Sequence, residues 1–221
     1  MDKIDAIIRW GKYAADHALL SGKSGNLSVR DGDAIRITAS GTMLGELSPD
    51  DIIGAPLEGE LVPSVTGRKP SMETDMHRLL YRKLPDAGAV FHSAPPYATL
   101  MACTTASIPR NLIPETMAYL SDIVRIPYRH AGSAELAESV AERLELGDVG
   151  LLENHGMIVA ARTIEEAVNI TETFEILCRM VVTARAAGLE LRVLPESTRD
   201  DFLLHLARRG AYGRTAPVPV A

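Results

Sequence analysis

KPSMETDMHRLLYRKLPDAGAVFH, residues 69–92, decides how this chain folds, because it reads as a helix followed at once by a buried strand. Pro70 favours an extended lead-in, and the Ser71 hydroxyl suits a helix N-cap, where it accepts from a backbone N–H that the helix itself leaves unpaired. Met72, Met76, Leu79 and Leu80 then recur at helical spacing, which predicts a buried apolar face. Glu73 and His77, four residues apart, share another face. After Pro85-Asp86 the run at 87–92 is short and apolar, and predicts a buried strand with His92 at its far end. A carboxylate at the helix start and an imidazole at the strand end can then converge. A plainer arrangement also fits this stretch alone: Glu73 and His77 as a surface pair, and His92 as a core histidine bonded within the protein.

Upstream, Asp2 caps a helix whose apolar face runs through Ile4, Ile7, Ile8, Ala14, Ala15, Ala18 and Leu19 and which ends at Ser21-Gly22. Residues 23–30, KSGNLSVR, form a glycine-containing loop running into a short strand. Gly25 allows close backbone approach, while Lys23, Ser24 and Asn26 supply donors that suit an anion; the same residue types also make plain turns. The alternating run AIRITA at 34–39 predicts a second strand, ending in the small polar turn Ser40-Gly41-Thr42. Two such turns after two strands point to one shared pocket.

Downstream, the prolines of Ser93-Ala94-Pro95-Pro96-Tyr97 turn the chain into a helix, so His92 sits at a strand-to-helix corner. Ser133 caps an amphipathic helix to Leu146. The apolar runs 150–154 and 157–161 are parted by His155-Gly156, a tight reversal that holds a histidine between buried strands. Thr163 caps a long helix over 164–188, and a last helix covers 200–209 before a Pro-rich end that carries Tyr212.

Composition narrows the function classes. With 221 residues, 46% hydrophobic and 24% charged, the chain fits one compact domain, residues 1–221, with a flexible tail from about 210. Net charge is −6 and no Lys/Arg cluster stands out, so no nucleic-acid surface is expected. No apolar run approaches the roughly 20 residues that span a bilayer, and the N-terminus lacks a signal peptide's pattern, so no membrane partner is expected. Cys103 and Cys178 lie in apolar contexts without metal spacing, which predicts buried reduced thiols and a cytoplasmic location.

Taken together, SGNLS at 24–28, ITASG at 37–41, KPSME at 69–73, VFHS around His92 and LLENHG at 151–156 resemble the class II aldolase/adducin family, on its L-fuculose-1-phosphate aldolase-like side. The resemblance implies an α/β fold with three layers, α/β/α, around a mainly antiparallel sheet, and a homotetramer with inter-subunit active sites. It implies a metal-dependent aldolase that cleaves a ketose 1-phosphate, of fuculose, ribulose or methylthioribulose type, to dihydroxyacetone phosphate and an aldehyde. By the same resemblance His92, His155 and Glu73 hold a divalent metal, Zn2+ or else Mn2+ or Co2+. Glu73 is also the catalytic base, and Tyr212 acts at the aldehyde oxygen. Asn26, Ser40, Gly41, Ser71 and Lys23 receive the substrate phosphate.

Two positions depart from the family pattern. Ala94 stands where a second histidine of an H-x-H pair is expected, and Met72 replaces a serine of the phosphate site. Glu73, His77 or water are the candidates to fill the ligand place that Ala94 vacates. The alternatives within the fold are a pentulose-phosphate epimerase or a dehydratase; outside catalysis, the adducin branch supplies a non-catalytic interaction module.

Overall fold

The computed structural model describes residues 2–61 and 67–209. Its centre is a seven-stranded sheet in the order β3-β2-β1-β4-β7-β6-β5. The strands are β1 (Asn26–Asp31), β2 (Ala34–Thr38), β3 (Ile52–Pro56), β4 (Ala89–Ser93), β5 (Ile123–Ile126), β6 (Val149–Leu152) and β7 (Gly156–Ala161). Every neighbouring pair is antiparallel except β5 with β6, so the sheet is mainly antiparallel, as expected.

The pleat sends alternate residues to opposite faces, and the core divides accordingly. Leu27, Phe91, Met157 and Val159 join one apolar cluster with residues of α1 (Lys3–Asp16), α3 (Pro96–Ala102) and α6 (Ile164–Ala186), as do Leu112 and Leu120, which flank α4 (Pro114–Tyr119). Ile35, Ile37, Val90 and Ile158 join a second cluster with Met76, Leu80 and Tyr81 of α2 (Thr74–Lys83) and Leu136, Ala137 and Val140 of α5 (Ala134–Arg143). This gives three layers, α/β/α. The last helix, α7 (Glu196–Arg208), lies against α4 and buries none of its side chains.

Several local expectations hold for the anticipated reason. Asp2 accepts from Ile4 N–H, Ser133 from Leu136 N–H and Thr163 from Glu166 N–H, each satisfying an N-terminal donor of its helix. The glutamate Glu175 on α6 accepts from the backbone N–H groups of Tyr97 and Ala98, pinning the start of α3 just after the proline turn. Arg30 at the end of β1 donates to the carbonyls of Tyr81, Leu84 and Ala87 and so fastens the C-terminal end of α2 to the sheet.

Other expectations are corrected. Helix α2 starts at Thr74, with Glu73 rather than Ser71 in the N-cap position. The cause is the sheet edge: Pro70 bridges Ala39 and Ser71 N–H donates to the Thr38 carbonyl, so residues 70–71 are held extended and the chain must turn before it can coil. Helix α1 ends at Asp16, earlier than expected, because Ala18 takes a left-handed conformation (φ +55°) while Leu19 N–H reaches back to the Ala14 carbonyl. Cys178 is buried, and burial pushes its thiol well up; Cys103, expected inside, is exposed beyond the last turn of α3. Among the described residues no helix is long and apolar enough to cross a membrane.

Candidate metal centre and anion rim

Asn26 and His92 face each other across β1 and β4, on the sheet face that α2 covers. The start of α2 brings Glu73 over them, and the β6–β7 turn brings His155 alongside. That turn uses each residue of Asn154-His155-Gly156 differently. Asn154 occupies the left-handed region (φ +56°), which asparagine tolerates. Gly156 lies so close to β4 that a Cβ would meet the Ser93 carbonyl oxygen at 2.6 Å. Gly25 plays the matching part on β1's side: its φ is +87°, and a Cβ there would meet the His92 carbonyl oxygen at 2.6 Å. The close backbone approach expected at Gly25 is thus made to β4, and it lets two site-bearing segments touch.

Glu73, His92 and His155 form one group whose ligand atoms all lie within 4.8 Å of one another. His92 Nδ1 donates to the Met157 carbonyl at 2.8 Å, which fixes the tautomer and leaves the Nε2 lone pair facing Glu73 Oε2 at 3.3 Å. His155 Nε2 lies 3.5 Å from Glu73 Oε1, a buried oxygen with no hydrogen-bond partner. Lone pairs and carboxylate oxygens converging in a buried site are a donor set suited to a cation. The two Glu73–histidine separations, 3.3 and 3.5 Å, are those of ligands about 2.0–2.2 Å from one divalent ion, and the nitrogen and oxygen donors present fit the metal that the family pattern implies.

Burial alone would raise the Glu73 carboxyl; the His92 and His155 imidazoles and the Asn26 amide outweigh it and hold the group below its usual range. It is therefore ionised near neutral pH. Burial also lowers His155, with His92 reinforcing the effect and Glu73 opposing it, which favours the neutral, ligating form.

The surface-pair arrangement of Glu73 with His77 is excluded. Glu73 is 6% exposed and His77 not at all. Both His77 ring nitrogens are used, Nε2 toward Asn26 Oδ1 at 2.6 Å and Nδ1 toward Ser28 Oγ at 2.7 Å, so His77 is no substitute ligand for the histidine missing at Ala94.

The cluster opens into a cavity of about 210 Å³ that Lys23, Asn26, Ser40, Gly41, Ser71, Glu73, His92 and His155 all line. Every site residue read from the sequence thus reaches one space, except Tyr212, which lies outside the described residues, as does the tail from residue 210. The rim is tied together by the Ala39–Pro70 bridge and by Ser40 N–H donating to the Lys69 carbonyl, which bring the turn at 40–42 against residues 69–71. Ala94, Ala131 and Met72 add apolar wall, Met72 being 69% exposed at the mouth. A larger groove of about 610 Å³, bordered by Trp10, Tyr13, Tyr119 and Val168, lies elsewhere and holds none of the metal-ligating group. Sequence reasoning missed Ser28, Tyr81 and Ala131. The signal for the first two was available: Ser28 shares Asn26's strand face, and positions 73, 77 and 81 fall one helical turn apart.

Residues 5–182 match the family described as the Class II Aldolase and Adducin N-terminal domain. A 5-methylthioribulose-1-phosphate/5-deoxyribulose-1-phosphate aldolase of Rhodospirillum rubrum is 34% identical over 201 residues, covering 91% of this chain and 88% of the relative. A 3-oxo-tetronate 4-phosphate decarboxylase of Haemophilus influenzae is 31% identical over 203 residues, covering 90% and 94%. A solved structure of an L-fuculose 1-phosphate aldolase superposes with a TM-score of 0.81 at 29% identity, covering 93% of this chain and 96% of that one. With a match over most of its length, the same layered architecture and a Glu/His/His cluster at the expected place, the chain belongs to the class II aldolase and adducin N-terminal domain family.

Proposed function

We propose that this chain is a divalent-metal-dependent lyase that cleaves a ketose 1-phosphate to dihydroxyacetone phosphate and an aldehyde. One observation carries the reading: a buried carboxylate and two imidazoles converge at the floor of a cavity whose rim is built from small polar residues and a lysine. Such a rim, lined by Ser40, Gly41, Ser71, Lys23 and Asn26, suits the phosphate. Zinc is the metal we assign, held by His92, His155 and Glu73, a nitrogen and oxygen donor set that suits it. Once bound, the ion supplies Lewis-acid stabilisation of negative charge developing on the ketone and adjacent hydroxyl oxygens.

The protein's own groups do the rest. Asn26 holds Glu73 Oε2 by a 2.8 Å hydrogen bond, which leaves Oε1 to carry the proton that is exchanged with the substrate carbon as the carbon–carbon bond breaks or forms. We assign the aldehyde oxygen to Tyr212, and the assembly to a homotetramer with sites between subunits, in a cytoplasmic, reducing setting consistent with two free cysteines. The apolar wall of Met72, Ala94 and Ala131 favours an aldehyde portion that ends in a methyl or methylthio group over a fully hydroxylated one.

The decarboxylase among the relatives defines the competing reaction, in which the fragment lost beside the carbonyl is carbon dioxide. The retained Glu/His/His cluster disfavours the non-catalytic module. The test is a panel of ketose 1-phosphates with different C5 groups, plus a 3-oxo acid phosphate, assayed for aldehyde and for carbon dioxide with and without chelator. Chelator-sensitive aldehyde release supports the proposal; carbon dioxide release alone, or turnover indifferent to chelator, overturns it.

A further inference from the structure

Behind Glu73 and Asn26 lies a file of buried polar groups, His77, Ser28 and Tyr81, that the reaction as described does not use. Asn26 and Ser28 alternate on β1, 6% and 0% exposed, and face His77 and Tyr81 of α2, which continue the four-residue spacing begun by Glu73. The contacts are continuous: Tyr81 hydroxyl to Ser28 Oγ at 3.0 Å, Ser28 Oγ to His77 Nδ1 at 2.7 Å, His77 Nε2 to Asn26 Oδ1 at 2.6 Å, and Asn26 Nδ2 to Glu73 Oε2 at 2.8 Å.

The direction of every hydrogen follows from one end. An ionised carboxylate only accepts, so Asn26 turns its NH2 to Glu73 and its Oδ1 to His77. His77 must then carry its hydrogen on Nε2, which leaves Nδ1 to accept from the Ser28 hydroxyl, and Ser28 in turn accepts from Tyr81. Burial drops the His77 imidazolium to about 3, and raises the Tyr81 phenol well above its usual range, so the ring stays neutral and the phenol keeps its proton. Arg30 packs over the Tyr81 ring, 5.0 Å from its centroid, and fixes the far end.

We propose that His77 is a positioning residue, which through Asn26 locks the Glu73 carboxylate with Oε2 engaged and Oε1 presented to the metal and the substrate carbon. Asn26 thereby has a second duty: its amide holds Glu73 while the residue also lines the cavity. This inference rests on the aldolase reading for its kinetic test but not for its binding test.

Full-length wild type is compared with His77→Phe, which keeps a ring and loses both nitrogens, with His77→Gln, whose amide can again donate to Asn26, and with Ser28→Ala. In His77→Phe, kcat falls about 10- to 100-fold with KM little changed, and zinc affinity by chelator competition falls by about tenfold; His77→Gln recovers most of both. Equal impairment of the Phe and Gln variants would show a packing role only and overturn the proposal, as would wild-type kcat and zinc affinity in His77→Phe. Should His77→Phe not fold, Ser28→Ala decides: it lowers kcat by about fivefold at unchanged KM, and an unchanged kcat rejects the idea. Should wild type turn over no ketose 1-phosphate, zinc affinity and the 15N spectrum of the histidines still decide. Wild type then shows a neutral histidine protonated on Nε2 that is lost in His77→Phe; absence of that tautomer, or equal zinc affinity, refutes the file.

Discussion

Replacing Glu73 by Gln keeps the side chain's shape and removes its charge, and the structure dictates how the new amide must sit. Asn26 presents an N–H to Oε2 at 2.8 Å, so the amide turns its oxygen that way and sets its NH2 where Oε1 stood, 3.5 Å from His155 Nε2. An amide nitrogen offers no lone pair to a cation, so the cluster loses a ligand at that atom. The Asn26 hydrogen bond survives and a buried charge disappears, so unfolding free energy should change by less than about 1 kcal/mol. Turnover should fall about a hundredfold to ten-thousandfold, because the amide cannot take up and return the proton that the carboxylate exchanges. The assay measures kcat on the substrate that wild type cleaves best, at a metal concentration shown by chelator competition to saturate the variant, with thermal unfolding of the same preparations. A kcat within about threefold of wild type at saturating metal would refute the assignment of Glu73 as the proton-transfer group.

Ala94→His should tighten zinc binding by about tenfold or more, since it offers a third imidazole to the cavity that already holds His92 and His155; chelator competition reads the change, and unchanged affinity would mean that position 94 does not face the ion. Gly25→Ala should destabilise the fold by about 2 kcal/mol or more, combining a left-handed backbone with a methyl 2.6 Å from the His92 carbonyl oxygen, and should weaken metal binding by displacing His92; denaturant unfolding and metal titration check both. Asp51 accepts from Ser48 N–H at 2.8 Å and from the Ser48 hydroxyl at 2.7 Å, and pairs with Arg68 at 2.8 Å; burial opposes ionisation there, but these partners hold its carboxyl below the usual range. A depressed folded-state pKa contributes stability that is present above the unfolded value of about 3.9 and is lost as pH falls through the folded one. Asp51→Asn should therefore cost about 1–2 kcal/mol at pH 7 and progressively less below about pH 4; a pH-independent difference in unfolding free energy would contradict the account.

Local chemistry made most of the architecture legible in the sequence. The alternation of AIRITA, the apolar run ending at His92 and the caps Asp2, Ser133 and Thr163 are short-range signals, and each became the element they predict. The small polar turns after the first two strands point to one shared pocket, and the family resemblance carried by KPSME, His92 and ENHG implies the other residues that line it. Long-range contact decided what remained. Ser71 reads as a helix cap, but the Ala39–Pro70 bridge holds it in the sheet edge and passes that position to Glu73. His77 reads equally well as a surface partner or a ligand; only the packing of α2 on β1 shows both its nitrogens occupied by Asn26 and Ser28. Cys103 reads as buried, yet it sits just past the end of α3, where the helix has run out of core. Sequence fixes which groups exist and their spacing along an element, whereas burial and hydrogen-bond partnership belong to the surfaces that elements distant in the chain present to one another.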